Sequence, residues 1–241
     1  MHARTPRVAA VSLLACAAAA SVASGGTVAG KLDLPADLGA PPNLGRAFIP
    51  RLDNPLIPVR PLDPRPAMVV VLEPASGELP AGKPTTVTWD LRGESFARPV
   101  VAALVGDTIE IRNQGRGAPV LIADGAPQLL PKKPLNPTDR VAFTPTTAGL
   151  VDVVDTSTPH LRGRAVVLAR GRYAYPDAGG KFEFLDVPAG QWKLRVYYAP
   201  RSLGGAATPA GWITGVDEAI TVGSRRADVT VKLPPALPVA P

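Results

Sequence analysis

The chain has 241 residues, enough for one large or two small domains, and 46% of them are hydrophobic but only 5% aromatic. Its 29 prolines and 23 glycines follow no collagen-like period, which predicts many turns and few long helices. The formal charge of +6 is dispersed apart from pairs such as Lys132-Lys133 and Arg225-Arg226, so it reads as a weakly basic surface and argues against a nucleic-acid partner.

Residues 1–23 have the pattern of an export signal. His2, Arg4 and Arg7 make a positive start, residues 8–20 are apolar, and Ser21-Val22-Ala23 is a small-x-small cleavage site. Removing this segment leaves 24 basic residues against 20 acidic ones. A second processing route stays open, because Leu13-Leu14-Ala15-Cys16 resembles a bacterial lipobox, in which Cys16 would be lipidated. Beyond residue 23 no apolar run is long enough to cross a bilayer, so membrane contact is expected only through that lipid. Cleavage beyond Cys16 leaves no thiol and one histidine, His160. A blue-copper site needs two His and a Cys, a structural zinc site four N or S ligands, and a disulfide two Cys. None can be assembled within one such chain, and no cofactor is expected.

Residues 24–67 divide into a strand at 26–34 and an extended arm. The arm, residues 35–66, carries nine prolines, which exclude a helix and remove ladder donors. It is expected to lie over the domain, pinned by Ala47-Phe48-Ile49 and Leu56-Ile57, with a free linker as the alternative. Residues 68–73 (MVVVLE) form a short, wholly apolar run, consistent with a strand buried on both faces. Residues 85–91 alternate, with Val87, Trp89 and Leu91 on one side and Thr86, Thr88 and Asp90 on the other, as in a half-buried strand.

Two stretches then carry a family resemblance. Gly106, Ile109, Ile111 and Asn113 fall on a Gly-x-x-(apolar)-x-(apolar)-x-Asn frame, preceded by an aromatic-led strand at Phe96. Residues 149–168 (GLVDVVDTSTPHLRGRAVVL) place a Gly, a strand, a loop with Pro159 and Arg162-Gly163, and a second strand without a gap. Together they resemble the plastocyanin-like (cupredoxin) proteins of bacterial envelopes, in particular the methylamine-utilisation-protein-like group. That resemblance implies a Greek-key β-sandwich over residues 68–170 and a copper site formed by a His after the Asn and a Cys-x-x-His-x-x-Met loop. The ligand positions depart from the pattern: Pro119 stands where the first His is expected, Asp155 at the Cys, Thr158 at the second His and Leu161 at the Met. The metal ligands are therefore expected to be absent. Strands at 120–123 and 140–144 would complete the sandwich, with residues 128–138 as a loop across one end.

From Tyr173 the pattern changes. PDAGGKFEFLDVPAGQWKLRVYY resembles the hairpin of carboxypeptidase-regulatory-like modules, so residues 171–233 are expected to form a smaller β module before a tail at 234–241. Phe182, Phe184, Trp192, Leu194 and Val196 alternate with polar residues, and Pro188-Ala189-Gly190 supplies a turn, which predicts a β-hairpin with cross-strand aromatic and aliphatic pairs. Later strands are expected at 219–222 and 228–233.

His160 is a candidate for a weak mixed metal site with Asp152 and Asp155, but an exposed loop histidine is the favoured reading. Asp107, Glu110, Asp124, Asp152, Asp155 and Asp177 are scattered acids that each suit a strand's solvent face or a turn, so no pair marks a glycosidase. Trp89 and Trp192 occupy inward strand positions, which favours core packing over a sugar platform, and Trp212 sits in a loop. The expectation is an all-β, exported, periplasmic or outer-membrane-associated protein that is not an enzyme and binds an envelope protein or glycan. Copper binding with electron transfer, and carbohydrate binding, are the alternatives.

Overall fold

The computed structural model describes residues 25–35, 63–76, 79, 82–93, 95–158, 161–198, 213–214 and 217–233. The export segment with Cys16, most of the Pro-rich arm, His160, Trp212 and the tail at 234–241 lie outside the described residues. Among those described, the architecture is strands with two short 3-10 turns, and no helix is long and apolar enough to cross a membrane.

Two strands, β1 (Gly26–Asp33) and β2 (Met68–Pro74), precede the first sandwich. That sandwich comprises β3 (Thr86–Arg92), β4 (Ser95–Phe96), β5 (Val100–Leu104), β6 (Thr108–Asn113), β7 (Leu121–Asp124), β8 (Arg140–Phe143), β9 (Gly149–Asp155) and β10 (Arg162–Leu168). One sheet has the order β4-β3-β6-β8 and the other β5-β10-β9-β7. Parallel pairs (β3 with β6, β5 with β10) sit beside antiparallel ones, so the chain crosses repeatedly between sheets. The aromatic-led stretch is split between the sheets: Phe96 ends β4, and β5 begins beyond Pro99 in the opposite layer. Period-two alternation turns Trp89, Leu91, Ile109, Ile111, Val153 and Ala165 into a shared core. Gly163 is required there, since a Cβ would lie 2.3 Å from Trp89 Cζ2 and 2.6 Å from Phe96 Cδ2.

The second sandwich corrects two expectations. It comprises β11 (Arg172–Ala174), β12 (Lys181–Val187), β13 (Gly190–Tyr198), β14 (Ile213–Thr214), β15 (Glu218–Val222) and β16 (Ala227–Lys232), together with β1 and β2. The segment expected to open the first sandwich at residue 68 therefore belongs to the second: β2 pairs antiparallel with β13 along seven residues and with β11 on its other edge. The strand expected at 26–34 is β1, and it too belongs to the second sandwich, where it lies between β12 and β16. The second correction concerns the predicted hairpin. β12 and β13 do not pair; β12 hydrogen-bonds β1 in one sheet and β13 hydrogen-bonds β2 and β15 in the other. Residues 188 and 189 form a corner between layers, where Trp192 Nε1 donates to Pro188 O at 2.9 Å. Phe182, Phe184, Trp192 and Leu194 still share one core, but they meet across the sandwich rather than along a ladder. Alternation sets which side faces inward and leaves open which strand supplies the hydrogen bonds.

β2 is buried on both faces, as its composition predicts. Met68, Val70 and Leu72 enter the core of the second sandwich. Val69 and Val71 pack with Tyr197 against Val100, Ala102, Val166 and Leu168 on the outer face of the first. This shared apolar layer joins the two sandwiches.

Candidate functional site

The positions that the family resemblance marks as ligands converge at one end of the first sandwich. Asp155, the last residue of β9, is buried, and its Oδ1 accepts a hydrogen bond from Val120 N at 2.7 Å. The same end is tied by Thr156 N to Val120 O (3.1 Å), Asp155 N to Leu161 O (3.1 Å) and Leu161 N to Thr158 O (2.9 Å). Pro119 O accepts from Leu135 N at 2.9 Å. Leu161 is 3% exposed and packs in the core with Leu121, Leu130 and Leu135. Asn113 fastens the adjoining loops: its Nδ2 donates to Gly117 O and Leu135 O, both at 2.7 Å, and its Oδ1 accepts from Gly115 N.

Pro119, Asp155, Thr158 and Leu161 are thus brought together by β7, β9 and β10, but their chemistry does not suit copper. Proline and leucine side chains offer no donor, the threonine hydroxyl is a hard and weak one, and one oxygen of Asp155 already serves Val120. Among the described residues no group of three or more His, Cys, Asp or Glu is placed to hold a metal ion.

Most of the scattered acids have structural partners. Asp107 is 2% exposed and clasps two strand edges, accepting from Thr85 N and Oγ1 and from Leu104 N. Glu110 lies 2.6 Å from Arg112 Nε and 3.6 Å from Arg140, and the Arg112 hydrogen bond holds its carboxyl below the usual range. Asp124 and Asp152 are cross-strand neighbours on an outer face, where Arg164 Nε lies 2.9 Å from Asp152 Oδ1. Burial pushes the Asp152 carboxyl up and the Arg164 guanidinium down. Asp177 accepts from Gly179 N and Lys181 N in a turn. Trp89 and Trp192 are core residues, and Trp89 stacks on Phe96 at 4.2 Å between ring centres.

A second feature went unnoticed in the sequence. A cleft of about 280 Å³ runs between the edges of β3 and β5, lined by Thr86, Thr88, Asp90, Arg98, Tyr173 and Tyr175 among others. The Arg98 guanidinium covers the Tyr175 ring at 4.0 Å, and the Tyr175 hydroxyl accepts from Ala102 N at 3.0 Å. Burial pushes the Tyr173 phenol up to about 12, so it remains protonated at neutral pH. Asp90 Oδ1 is buried there without a hydrogen-bond partner. Tyr173 and Tyr175 stand two apart, a spacing that gives no hint of a neighbour 85 residues earlier in the chain.

No protein-family model matches the chain, and no curated protein is similar to it by sequence. Solved structures resemble about a third of it. An amicyanin mutant in the Cu(I) form is 22% identical, with a TM-score of 0.30, over 34% of this chain and 81% of that one. A mutant fern plastocyanin is 14% identical, with a TM-score of 0.31, over 34% and 99%. A purple cupredoxin from Nitrosopumilus maritimus is 16% identical, with a TM-score of 0.31, over 33% and 97%. These likenesses concern the fold alone. The described residues are all-β, in two sandwiches that share an apolar layer.

Proposed function

We propose that this protein is an exported, non-catalytic binding module of the bacterial cell envelope, built on a cupredoxin-like scaffold whose copper site has been lost. The observation that carries this reading is Asp155: at the position of the expected thiolate stands a buried carboxylate engaged with the Val120 amide. The neighbouring Leu161 adds apolar packing to the same end of the sandwich where a soft ligand is expected. Export rests on the pattern of residues 1–23, with lipidation at Cys16 as the alternative route to the envelope. A non-catalytic role is supported by the acids, which serve as clasps, turn acceptors and ion pairs. Binding by surfaces grafted on a rigid sandwich is a common use of such folds, and the partner is an envelope protein or glycan.

Isothermal titration of the mature protein with Cu(II) and Cu(I) tests the loss of the metal site. The expected result is no stoichiometric binding tighter than about micromolar, a free energy of about −8 kcal/mol. Tight binding of one equivalent that disappears in His160→Ala would return the protein to copper handling.

A further inference from the structure

The two strands that border the cleft differ in how their edges are finished. In β5, Pro99 O and Val105 N bond β10, so residues 100, 102 and 104 point their main-chain groups outward. Ala102 N is capped by the Tyr175 hydroxyl and Leu104 N by Asp107 Oδ2. In β3, Thr85 O and Leu91 O bond β6, so residues 86, 88 and 90 point outward. Here Asp90 O receives Ala97 N, and β4 reaches only Leu91 and Arg92. Among the described residues, the N–H and C=O of Thr86 and Thr88 and the N–H of Asp90 have no partner, and both threonines are exposed. An open edge of this kind is a template for another strand unless it is covered.

We infer that the β3 edge, with the cleft beside it, is a docking site for an extended peptide segment of a partner protein, which adds a strand along residues 86–90. The inference rests on the reading of the protein as a binding module and names the site and the class of partner. Outward groups recur every second residue, about 7 Å apart, which matches the repeat of a strand. The buried Asp90 Oδ1 calls for a donor, so the segment carries a Lys, Arg, Ser or Thr at the position facing it. The half-buried Tyr173 offers apolar surface to a neighbouring side chain. A glycan fits less well, because sugar rings favour open aromatic faces and the Tyr175 face is occupied by Arg98.

The test is a selection of displayed random nonapeptides on the mature protein, followed by fluorescence anisotropy of the enriched peptides. Expected binders lack Pro at alternate positions and share a donor-bearing residue. Thr88→Pro removes an outward N–H without touching the β6 ladder, and proline is tolerated on a free edge. It should weaken binding about tenfold or more, the loss of one or two net hydrogen bonds, and Asp90→Ala should weaken it less. If Thr88→Pro fails to give the wild-type circular dichroism spectrum, the same peptides with alternate backbone nitrogens methylated decide the matter, and they should not bind. Peptides that bind wild type and Thr88→Pro equally, with methylation equally harmless, would overturn the edge assignment and leave the binding-module reading standing. Absence of any enriched peptide would overturn it as well. So would binding of chitotetraose or laminarihexaose that is lost in Tyr173→Ala. Tight copper uptake by the same sample would overturn the parent reading without altering the peptide result.

Discussion

Gly163→Ala is the sharpest probe of the first sandwich. The new Cβ would stand 2.3 Å from Trp89 Cζ2 and 2.6 Å from Phe96 Cδ2, so the rings would have to retreat by about 1 Å to reach ordinary contact. They have little room to do so. Trp89 is 1% exposed, its Nε1 donates to Arg98 O at 2.8 Å, and its ring is stacked on Phe96. Overpacking of this kind costs about 1–3 kcal/mol. Replacing glycine returns about 0.4–1 kcal/mol through the unfolded chain, so a net loss of about 1–2 kcal/mol is expected. Gly117→Ala is the control, since a Cβ there meets nothing within 4 Å, and it should change stability by less than about 0.5 kcal/mol. Urea unfolding of the mature chain, followed by tryptophan fluorescence, measures both. Combining Gly163→Ala with Phe96→Leu should cost less than the sum of the two, because both act on the same space. A Gly163→Ala midpoint equal to or above wild type would refute the close approach of β10 to the Trp89–Phe96 pair.

In the second sandwich Trp192 is 2% exposed, so Trp192→Ala should cost about 3–5 kcal/mol, whereas Lys193→Ala, half-exposed beside Asp217, should cost under about 0.5 kcal/mol. Equal urea midpoints for the two variants would place Trp192 on the surface. The Arg195 hydrogen bond, with help from Lys193, holds the Asp217 carboxyl below its ordinary value. A depressed folded value gives stability that is present above the unfolded value of about 3.9 and is lost as pH falls through the folded one. Asp217→Asn should therefore be less stable than wild type at pH 7, with the gap closing in acid; a gap independent of pH in thermal melts would contradict this. Mass spectrometry of envelope-derived protein should find a chain starting near Ser24, or an acylated Cys16, and retention of Met1 would refute export.

Much of the fold could be read from alternating residues. Val87, Trp89 and Leu91, and Ile109 and Ile111, face inward as their spacing demands, because a pleated strand with one buried face leaves no other register. The apolar run at β2 was legible as doubly buried for the same reason, yet its sheet was not. Nothing local distinguishes pairing with β3 from pairing with β13, about 120 residues later. The apparent hairpin at residues 181–198 failed on this point too: a Pro-Ala-Gly corner joins two layers as readily as two neighbours in one sheet, and β1 supplied the competing edge. At the candidate site, Asp155, Thr158 and Leu161 are marked in the sequence by one short loop with a fixed frame, and the structure sets that loop beside Val120. The cleft was not, since Tyr173 comes from the second sandwich and only the packing of the two sandwiches brings it beside Asp90 and Arg98.

The central proposal is that the scaffold is that of a copper site whose ligands are lost at residues 119, 155, 158 and 161. The direct measurement is the visible absorption spectrum, after addition of Cu(II), of the mature wild type and of a variant carrying Pro119→His, Asp155→Cys, Thr158→His and Leu161→Met. The account predicts a colourless wild type and an intense thiolate-to-copper charge-transfer band in the fourfold variant, whose four side chains supply the two His, Cys and axial Met of a blue-copper centre. An intense band in the wild type, or its absence from a folded fourfold variant, would contradict it.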